Sequence, residues 1–373
     1  MISDAVTISG IGKEEQCVIG KRKIRTLIVD DSSVMRQLIR HSLSKHGDIE
    51  VVAEADSARA ARDAVNMFKP DVMTLDVEMP EMDGLEFLRR LMKARPMPVV
   101  MVSSLTERGS EAAIRALSLG ALECVAKPRS NKAGLSAFEG LATVLRMAAT
   151  AQVKNRGGQK KREQKNRPTF NWNGKLVLVG ASTGGVEALE TLLGEFPENC
   201  PPTLITQHMP EQFLVNFSQR LNRNFAPHIL LAEDGQVPEQ GCVYIAPGGE
   251  THLTLKGTPG PKMILQPGPK QTGHRPSVDV MFSSAVSQAP NVVAVLLTGM
   301  GADGAQGMRL LRDNGAFCIA QDQQSSVVYG MPRVACEKGG VDISLDLSRI
   351  AEKVLSLTSV GLVADAPPQK VVS

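Results

Sequence analysis

The chain has 373 residues, 42 Lys and Arg against 39 Asp and Glu, and a formal net charge of +3. This length predicts two or three domains, and a hydrophobic content of 42% excludes disorder throughout. A basic excess can indicate nucleic-acid binding, but here the excess is local. Seven basic residues and one acidic residue lie between Lys154 and Arg167, which gives +6 there and leaves −3 for the rest. We therefore expect no nucleic-acid partner.

No apolar run approaches the roughly 18–20 residues that a membrane span needs. Residues 1–20 also lack the basic-then-apolar pattern of a secretory signal. These features predict a cytoplasmic protein without membrane insertion. The cysteines are far apart and form no CxxC pair, so we expect reduced, mostly buried thiols. They are Cys17, Cys124, Cys200, Cys242, Cys318 and Cys336.

Residues 1–23 show no clear period and are predicted to form an extension. Residues 24–150 alternate short apolar runs with amphipathic helical patterns, which is typical of a doubly wound parallel sheet. The predicted strands are residues 25–29, 51–53, 72–75, 99–102 and 122–125.

Residues 151–172 are rich in Lys, Arg, Gln, Asn and Gly, which favours a solvated linker over a basic docking site. The alternation resumes over residues 173–362, and residues 363–373 are predicted to form a polar tail. Buried strands are expected at 176–179, 203–206 and 292–297, with helices at 186–193, 213–221, 278–286 and 307–311. Residues 242–246 and 251–255, separated by Pro247-Gly248-Gly249, predict a hairpin.

Polar side chains follow the predicted strands of the first domain, at the sheet edge where ligands bind. Asp30 and Asp31 follow the first strand, Asp76 ends the third, and Ser103 and Lys127 follow the fourth and fifth. Clustered carboxylates repel one another unless a hard cation joins them, and oxygen ligands suit Mg²⁺. A lysine opposite them suits a phosphoryl group. Capping of the next helix explains one of these residues but not all five.

These motifs resemble the receiver domain of two-component response regulators, through Val29-Asp30-Asp31-Ser32, residues 74–80, Asp83-Gly84, Ser103 and Lys127-Pro128. The resemblance implies a flavodoxin-like fold with Asp76 as the phosphoryl acceptor. It further implies that Ser103 and Lys127 bind the phosphoryl group. The implied Mg²⁺ ligands are Asp30, Asp31, Asp76 and the backbone carbonyl of Glu78. Cys124 stands where receivers often have an aromatic switch residue, so an aromatic switch is not implied.

In the second domain, the first predicted strand runs into Gly180-Ala181-Ser182-Thr183-Gly184-Gly185 and then a helix. Gly180-x-Ser182-x-Gly184 has the spacing of a nucleophile elbow. Backbone N–H groups at the start of the helix can receive an oxyanion. A plain turn or a phosphate-binding loop is the alternative, although the dinucleotide form G-x-G-x-x-G is absent because Ser182 replaces its second glycine.

The neighbouring strand ends offer candidates for a base and an acid that could act with Ser182. Of the six histidines, His208 directly follows a predicted strand of the same sheet and is the candidate base. Asp303 lies in the glycine-rich exit 298–304 after another strand, where helix capping is its alternative role. Asp279, near Arg275, is a further candidate to line the cleft. We expect surface or packing roles for His41 and His46, and loop roles for His228, His252 and His274.

The order Ser–His–Asp differs from the Ser–Asp–His order of α/β-hydrolases. Residues 180–185, Gln207-His208-Met209-Pro210, Ala246-Pro247-Gly248 and 298–304 resemble the chemotaxis protein-glutamate methylesterase family, in which a receiver is joined to a Rossmann-like α/β catalytic domain. The resemblance implies a triad of Ser182, His208 and Asp303. At the oxyanion rim it implies Thr183, Gly184 and Met300.

The same resemblance implies hydrolysis of glutamyl methyl esters on chemoreceptors, and in some members deamidation of receptor glutamines. A chemotaxis histidine kinase would be the phosphodonor, the esterase would need no cofactor, and a monomer is expected. An unphosphorylated receiver would cover the esterase rim. The alternatives are a transcriptional response regulator, for which the C-terminal region offers no basic stripe, and a phosphate- or nucleotide-binding module built on residues 180–185.

Overall fold

The structure is a computed structural model that describes residues 22–103, 107–128, 138, 140–151, 153 and 170–360, with backbone only for 107–110. Cys17, most of the predicted extension, residues 154–169 of the linker and the predicted tail lie outside these ranges. None of the helices in these ranges combines the length and hydrophobicity needed to cross a membrane.

The first domain is a five-stranded parallel sheet with helices on both faces. The strand order is β2-β1-β3-β4-β5. Alternate residues of one strand enter the two cores: Leu27 and Val29 belong to one hydrophobic cluster and Ile28 to the other. The strands are β1 Ile24–Val29, β2 Ile49–Ala55, β3 Val72–Asp76, β4 Val99–Ser103 and β5 Glu123–Ala126, and the helices are α1 Ser33–Ser44, α2 Ala58–Phe68, α3 Gly84–Ala94, α4 Glu107–Ser118 and α5 Leu141–Thr150.

Three helices of the first domain, α1, α2 and α3, begin at residues whose side chains cap them. Ser32 accepts a hydrogen bond from the Met35 N–H at the start of α1, and Asp83 accepts one from the Glu86 N–H at the start of α3. Such caps satisfy N–H groups that have no partner inside the helix. Because Ser32 caps α1, the two preceding carboxylates Asp30 and Asp31 are left for another role.

The second domain is a seven-stranded parallel sheet with a separate hairpin. The strand order is β14-β13-β12-β6-β7-β9-β8. The sheet strands are β6 Leu176–Ala181, β7 Thr203–Gln207, β8 His228–Leu231, β9 Cys242–Ile245, β12 Val292–Leu296, β13 Phe317–Gln321 and β14 Ile343–Leu345. The helices are α6 Gly185–Leu193, α7 Glu211–Asn224, α8 Val278–Ser284, a 3₁₀ helix Val286–Asn291, α9 Ala305–Asp313, α10 Met331–Glu337 and α11 Leu347–Thr358. The strand order reverses at β6, which places a topological switch point beside its carboxyl end.

The hairpin predicted between residues 242–246 and 251–255 is wrong. The true hairpin pairs β10, Thr251–Lys256, with β11, Lys262–Pro267. Both edges of β9 are already occupied by the parallel strands β7 and β8, so β9 has no free edge for β10. The turn at Pro247-Gly248-Gly249, where Gly248 has φ +76°, leads the chain out of the sheet instead.

The two domains pack against each other through α4, which lies on α6 and α7. Leu117 of α4 belongs to the same hydrophobic cluster as Val186 and Leu189 of α6. Two polar contacts accompany this packing. Ser118 Oγ donates to Glu190 Oε1 (2.9 Å), and Thr183 Oγ1 donates to Glu123 Oε2 (3.0 Å). The first domain therefore reaches the turn that contains Ser182.

Candidate active site and phosphorylation site

Ser182 lies in a tight turn between β6 and α6. The turn is closed by a hydrogen bond from the Gly185 N–H to the Ser182 carbonyl (2.7 Å). Gly184 has φ +77°, and a Cβ at this position would lie 2.6 Å from the Cβ of Val327, so the turn requires glycine. Ser182 is therefore held at the start of α6, with only 7% of its surface exposed.

Ser182 and His208 leave two paired strands at the same level. In the register of β6 and β7, Ala181 lies beside Gln207, and each is followed directly by one of the two residues. The buried amide Nε2 of Gln207 donates to the carbonyls of Ser182 (3.0 Å) and His208 (3.1 Å). One side-chain amide thus holds both strand exits together. The sequence motif Gln207-His208-Met209-Pro210 does not by itself predict this role of Gln207.

The carboxylate of Asp303 contacts the ring of His208. Its Oδ2 lies 2.7 Å from His208 Nε2. The carboxylate also accepts hydrogen bonds from Ser277 Oγ (2.8 Å) and from the backbone N–H groups of Val278 (2.7 Å) and Asp279 (3.0 Å). Burial opposes ionisation, but His208 and these N–H donors outweigh it and lower the pKa of Asp303 to about 2. Asp303 is therefore a carboxylate at neutral pH.

The second ring nitrogen of His208 is the atom available as a base. Nδ1 is buried and has no hydrogen-bond partner among the described residues. Because Nε2 faces a carboxylate, the hydrogen-bond network assigns the proton of the neutral ring to Nε2 and the lone pair to Nδ1. The better-known serine triads use the opposite assignment, with Nδ1 toward the acid.

His274 belongs to this site, although the sequence suggested only a loop role. Its ring stacks on that of His208 with centroids 3.8 Å apart and planes 4° apart. Burial, and then the charge of His208, lower the pKa of His274 to about 4, so this ring is neutral at pH 7. Arg275 fixes the loop by donating to the carbonyls of Gly249 (2.6 Å) and Gly268 (2.8 Å). The sequence offered no signal beyond a histidine before Arg-Pro.

Two other sequence candidates have structural roles. Asp279 was expected to line the cleft near Arg275, but its Oδ1 accepts a hydrogen bond from the Gly307 N–H (2.7 Å) in the first turn of α9. The loop roles expected for His228 and His252 are wrong, because both lie on strands, β8 and β10. His252 is buried, with its Nε2 2.9 Å from the Pro269 carbonyl. These groups position the loop and the helices around Asp303 rather than the reacting atoms.

Two of the predicted rim residues, Thr183 and Gly184, directly follow Ser182, and the third, Met300, lies in the loop between β12 and α9. The Ser182 N–H already donates to the Thr298 carbonyl (3.1 Å) and is not available to an oxyanion. Thr298 Oγ1 donates to the carbonyl of Thr183 (3.0 Å), which fixes the peptide that carries the next N–H, that of Gly184. Met300 is 37% exposed. Thr183, Gly184 and Met300 remain the predicted oxyanion rim.

A small cavity separates Ser182 from the first domain. Its volume is about 30 Å³, far below the roughly 300–1,000 Å³ of a typical ligand pocket. The first domain lines it with Leu117 and residues 120–123, and the second domain with Ser182, Gly184, Val186, Glu187, Gln207, Met209 and Val327. Residues of the first domain therefore lie directly beside the turn that carries Ser182.

The predicted carboxylates of the first domain converge as expected from the strand ends. Ligand oxygens of Asp30, Asp31 and Asp76 all lie within 4.8 Å of one another. Lys127 Nζ lies 2.7 Å from Asp76 Oδ2 and 3.1 Å from Asp30 Oδ2, and the latter oxygen accepts no well-formed hydrogen bond. Burial raises the pKa of Asp76 to about 6, against the opposing effect of Lys127. An oxygen-only set with an incompletely bonded carboxylate fits a divalent cation such as Mg²⁺.

The remaining predicted residues border Asp76. In the register of β3 and β4, Asp76 lies beside Val102, so Ser103 is at the same sheet edge. The Ser103 carbonyl accepts a hydrogen bond from the Lys127 N–H (2.7 Å). The Glu78 N–H donates to the Asp76 carboxylate. The roles of these groups toward a phosphoryl group and Mg²⁺ remain predictions.

Comparison with known proteins places the chain in a family. Residues 177–354 match CheB methylesterase, and residues 26–139 match the response regulator receiver domain. A protein-glutamate methylesterase/protein-glutamine glutaminase 1 of Caulobacter vibrioides is 47% identical over 339 residues, which cover 90% of this chain and 98% of that relative. The chain belongs to the CheB methylesterase family.

Other members of the CheB methylesterase family show similar agreement. The protein-glutamate methylesterase/protein-glutamine glutaminase of Escherichia coli is 46% identical, covering 91% of this chain and 98% of that protein. The catalytic domain of Thermotoga maritima CheB methylesterase aligns with a TM-score of 0.48 and 36% identity, over 50% of this chain and 100% of that one. Family membership confirms the resemblance stated from the motifs, and the two observed parallel sheets confirm the predicted fold class.

Proposed function

We propose that this chain is a protein-glutamate methylesterase that hydrolyses glutamyl methyl esters on chemoreceptors, with Ser182, His208 and Asp303 as its triad. The observation that carries the proposal is the 2.7 Å bond between His208 Nε2 and Asp303, with His208 Nδ1 left without a partner in the part of the chain that the structure describes. The substrate class is taken from the curated names of the relatives.

The reaction follows from the protonation state of His208. As Ser182 Oγ attacks the ester carbonyl, Nδ1 takes its proton, and Asp303 stabilises the resulting imidazolium through Nε2–H. The tetrahedral intermediate collapses when Nδ1 returns the proton to the leaving methoxide, which departs as methanol. A water then gives a proton to Nδ1 as it attacks the acyl-serine. Nδ1 passes this proton to the departing Ser182 Oγ, which restores free Ser182 and neutral His208 and releases the glutamyl carboxylic acid, which ionises to the carboxylate.

The developing oxyanion needs donors other than the engaged Ser182 N–H. We propose the backbone N–H groups of the Thr183–Gly184 turn, which precede α6, and that of Met300 in the loop between β12 and α9. Removing one such donor typically costs about 3 kcal/mol of transition-state stabilisation. The same chemistry suits a glutamine side chain, with ammonia in place of methanol as the leaving group, and the double name of the relatives favours this second activity.

We also propose that the receiver domain controls the activity of the esterase domain. Asp76 would accept a phosphoryl group from a chemotaxis histidine kinase, and Ser103 and Lys127 would bind its oxygens. Phosphorylation adds about −1.5 to −2 charge. β5 carries Lys127 just beyond its carboxyl end and Glu123, which contacts the esterase turn, at its start. A shift of Lys127 and the adjoining α4 would therefore loosen the domain contact and open the esterase rim.

Mg²⁺ would be held by Asp30, Asp31 and Asp76 with the backbone carbonyl of Glu78, and it would neutralise phosphoryl oxygens during transfer. The chain's own part is to keep these oxygens together and to supply Lys127 as a positive partner. No cofactor is proposed for the esterase. We also propose that the chain acts as a cytoplasmic monomer on membrane-bound receptors.

Methanol release from methylated receptors tests the triad. Ser182→Ala should abolish release while Asp76 still takes up a phosphoryl group from a small phosphodonor, because the two sites lie in different domains. Retained methanol release by Ser182→Ala would contradict the assignment of the nucleophile. Loss of both properties would point to misfolding, which a thermal melt of the variant would reveal.

A further inference from the structure

The receiver places a glutamate side chain beside the esterase nucleophile. Glu123, the first residue of β5, accepts a hydrogen bond through Oε2 from the hydroxyl of Thr183 (3.0 Å), the residue directly after Ser182. Its other oxygen, Oε1, accepts from the Cys124 N–H (3.2 Å). Glu123 and Ser182 line the same small cavity. The carboxyl group is thus anchored by the esterase on one oxygen and by its own strand on the other.

This carboxyl group is the chemical product of the proposed reaction. Hydrolysis of a glutamyl methyl ester yields a glutamyl carboxylate next to Ser182, and Glu123 puts the same functional group in the same cavity. Burial raises the pKa of Glu123, which favours the uncharged carboxyl form relative to water. An uncharged carboxyl group has the charge and nearly the shape of the ester that it would replace.

We propose that the Thr183 hydroxyl binds the side-chain carbonyl of the substrate glutamyl group, and that Glu123 occupies this position as an internal competitor while the receiver is docked. The inference rests on the proposed esterase function and names a specificity residue for it. Thr183 is suited to the task because its carbonyl is fixed by Thr298 Oγ1 (3.0 Å). If Thr183 served only the domain contact, its substitution would change the kinetics only while the receiver is docked.

Kinetics of the full-length, phosphorylated chain separate these two roles of Thr183. With the receiver displaced by a small phosphodonor, Thr183→Val should raise KM for methylated receptor about 3- to 10-fold, as expected for the loss of one hydrogen bond, with a smaller change in kcat. Thr183→Ser keeps the hydroxyl and should restore KM. An unchanged KM in phosphorylated Thr183→Val would overturn the proposal.

Glu123 variants test the competitor. Unphosphorylated Glu123→Ala should hydrolyse esters faster than the unaltered chain, whereas the two phosphorylated proteins should have equal rates because Glu123 has then left the site. Glu123→Gln keeps a side-chain carbonyl that can accept from Thr183, so it should remain closer to the unaltered chain than Glu123→Ala. An unphosphorylated Glu123→Ala no faster than the unaltered chain would contradict the internal competitor.

A binding measurement keeps this inference separate from the esterase proposal. In a Ser182→Ala background, titration calorimetry with N-acetylglutamate should detect tighter binding when Glu123→Ala is added, and loss of that gain when Thr183→Val is added as well. This pattern without any esterase activity in the unaltered chain would refute the proposed function but support the glutamyl site. Esterase activity without this pattern would refute the glutamyl site alone.

Discussion

At the scale of single residues, the orientation of His208, the proposed base, depends on the groups that hold Asp303 in place. Asp303 is bound by His208 and by Ser277, Val278 and Asp279 in the first turn of α8. Four donors on one carboxylate fix both its charge and its direction. The orientation of His208 is therefore set by the packing of α8 rather than by the histidine itself.

Replacing Asp303 by asparagine should lower turnover by about 10⁴-fold, as the loss of the acid does in other serine triads. The amide no longer favours the Nε2–H tautomer and cannot stabilise the imidazolium. Methanol release under saturating receptor measures the effect. A loss below tenfold in a folded Asp303→Asn protein would show that His208 does not depend on this carboxylate.

From the low pKa of Asp303 we also predict how the stability of the fold depends on pH. Its folded pKa of about 2 lies below the ordinary 3.8. The carboxylate therefore stabilises the fold fully above about pH 4, and this contribution is lost as the pH falls through about 2. Urea unfolding of the unaltered chain and of Asp303→Asn at several pH values should give a stability difference that shrinks with acid. A difference that grows as the pH falls would contradict the depressed pKa.

His274 offers a test of the stacked ring pair. Since aromatic stacking is worth about 0.5–1.5 kcal/mol, His274→Ala should reduce kcat about 2- to 10-fold by loosening His208. His274→Phe keeps a flat ring and should recover most of the loss, because the His274 ring is uncharged at pH 7. Equal losses in the two variants would assign His274 a hydrogen-bonding role instead.

The sequence predicted the residues that stand directly at strand ends. The placement of Ser182, His208 and Asp303 could be predicted because parallel strands end at one edge of a sheet, whereas their catalytic roles stay predictions. His274 could not be found, because a loop fixed by Arg275 brings it onto His208. Glu123 was missed for a different reason: its contact with Thr183 depends on how two domains dock, which strand patterns in either domain do not encode.

At the scale of elements, the turn between β6 and α6 determines where Ser182, the proposed nucleophile, lies. Gly184 combines a positive φ with close contact to Val327. The elements before and after this turn were predicted from their apolar runs. The pairing of β9 was not, because a Pro-Gly-Gly turn looks like a hairpin whether or not the strand before it has a free edge.

Gly184→Ala has a matched control in Gly235→Ala. Both glycines have nearly equal positive φ values, +77° and +78°, but a Cβ at Gly235 would meet nothing within 4 Å. Each substitution should cost about 1–2 kcal/mol for the left-handed backbone, and Gly184→Ala should cost more because of Val327. Chemical denaturation compares the two. Equal stability of the variants would mean that the turn relaxes without cost.

At the scale of the whole molecule, the receiver packs on the second domain through the face that contains α4 and β5. Leu117 and Glu123 line the cavity over Ser182, and Ser118 is bound to Glu190 of α6, which also accepts from Arg220 of α7 (3.0 Å). The proposed phosphorylation site around Asp76 and Lys127 lies at the opposite end of β5 from Glu123. A change at Asp76 therefore has a short path to the active site, by way of Lys127 and α4.

The most direct test measures methanol release from methylated receptors with and without a small phosphodonor, in the unaltered chain, Asp76→Asn and Ser182→Ala. We predict that the phosphodonor accelerates the unaltered chain, leaves Asp76→Asn at its slow basal rate, and has no effect on Ser182→Ala, which releases no methanol. Equal acceleration of Asp76→Asn, or methanol release by Ser182→Ala, would contradict the account of a Ser182 esterase controlled through Asp76.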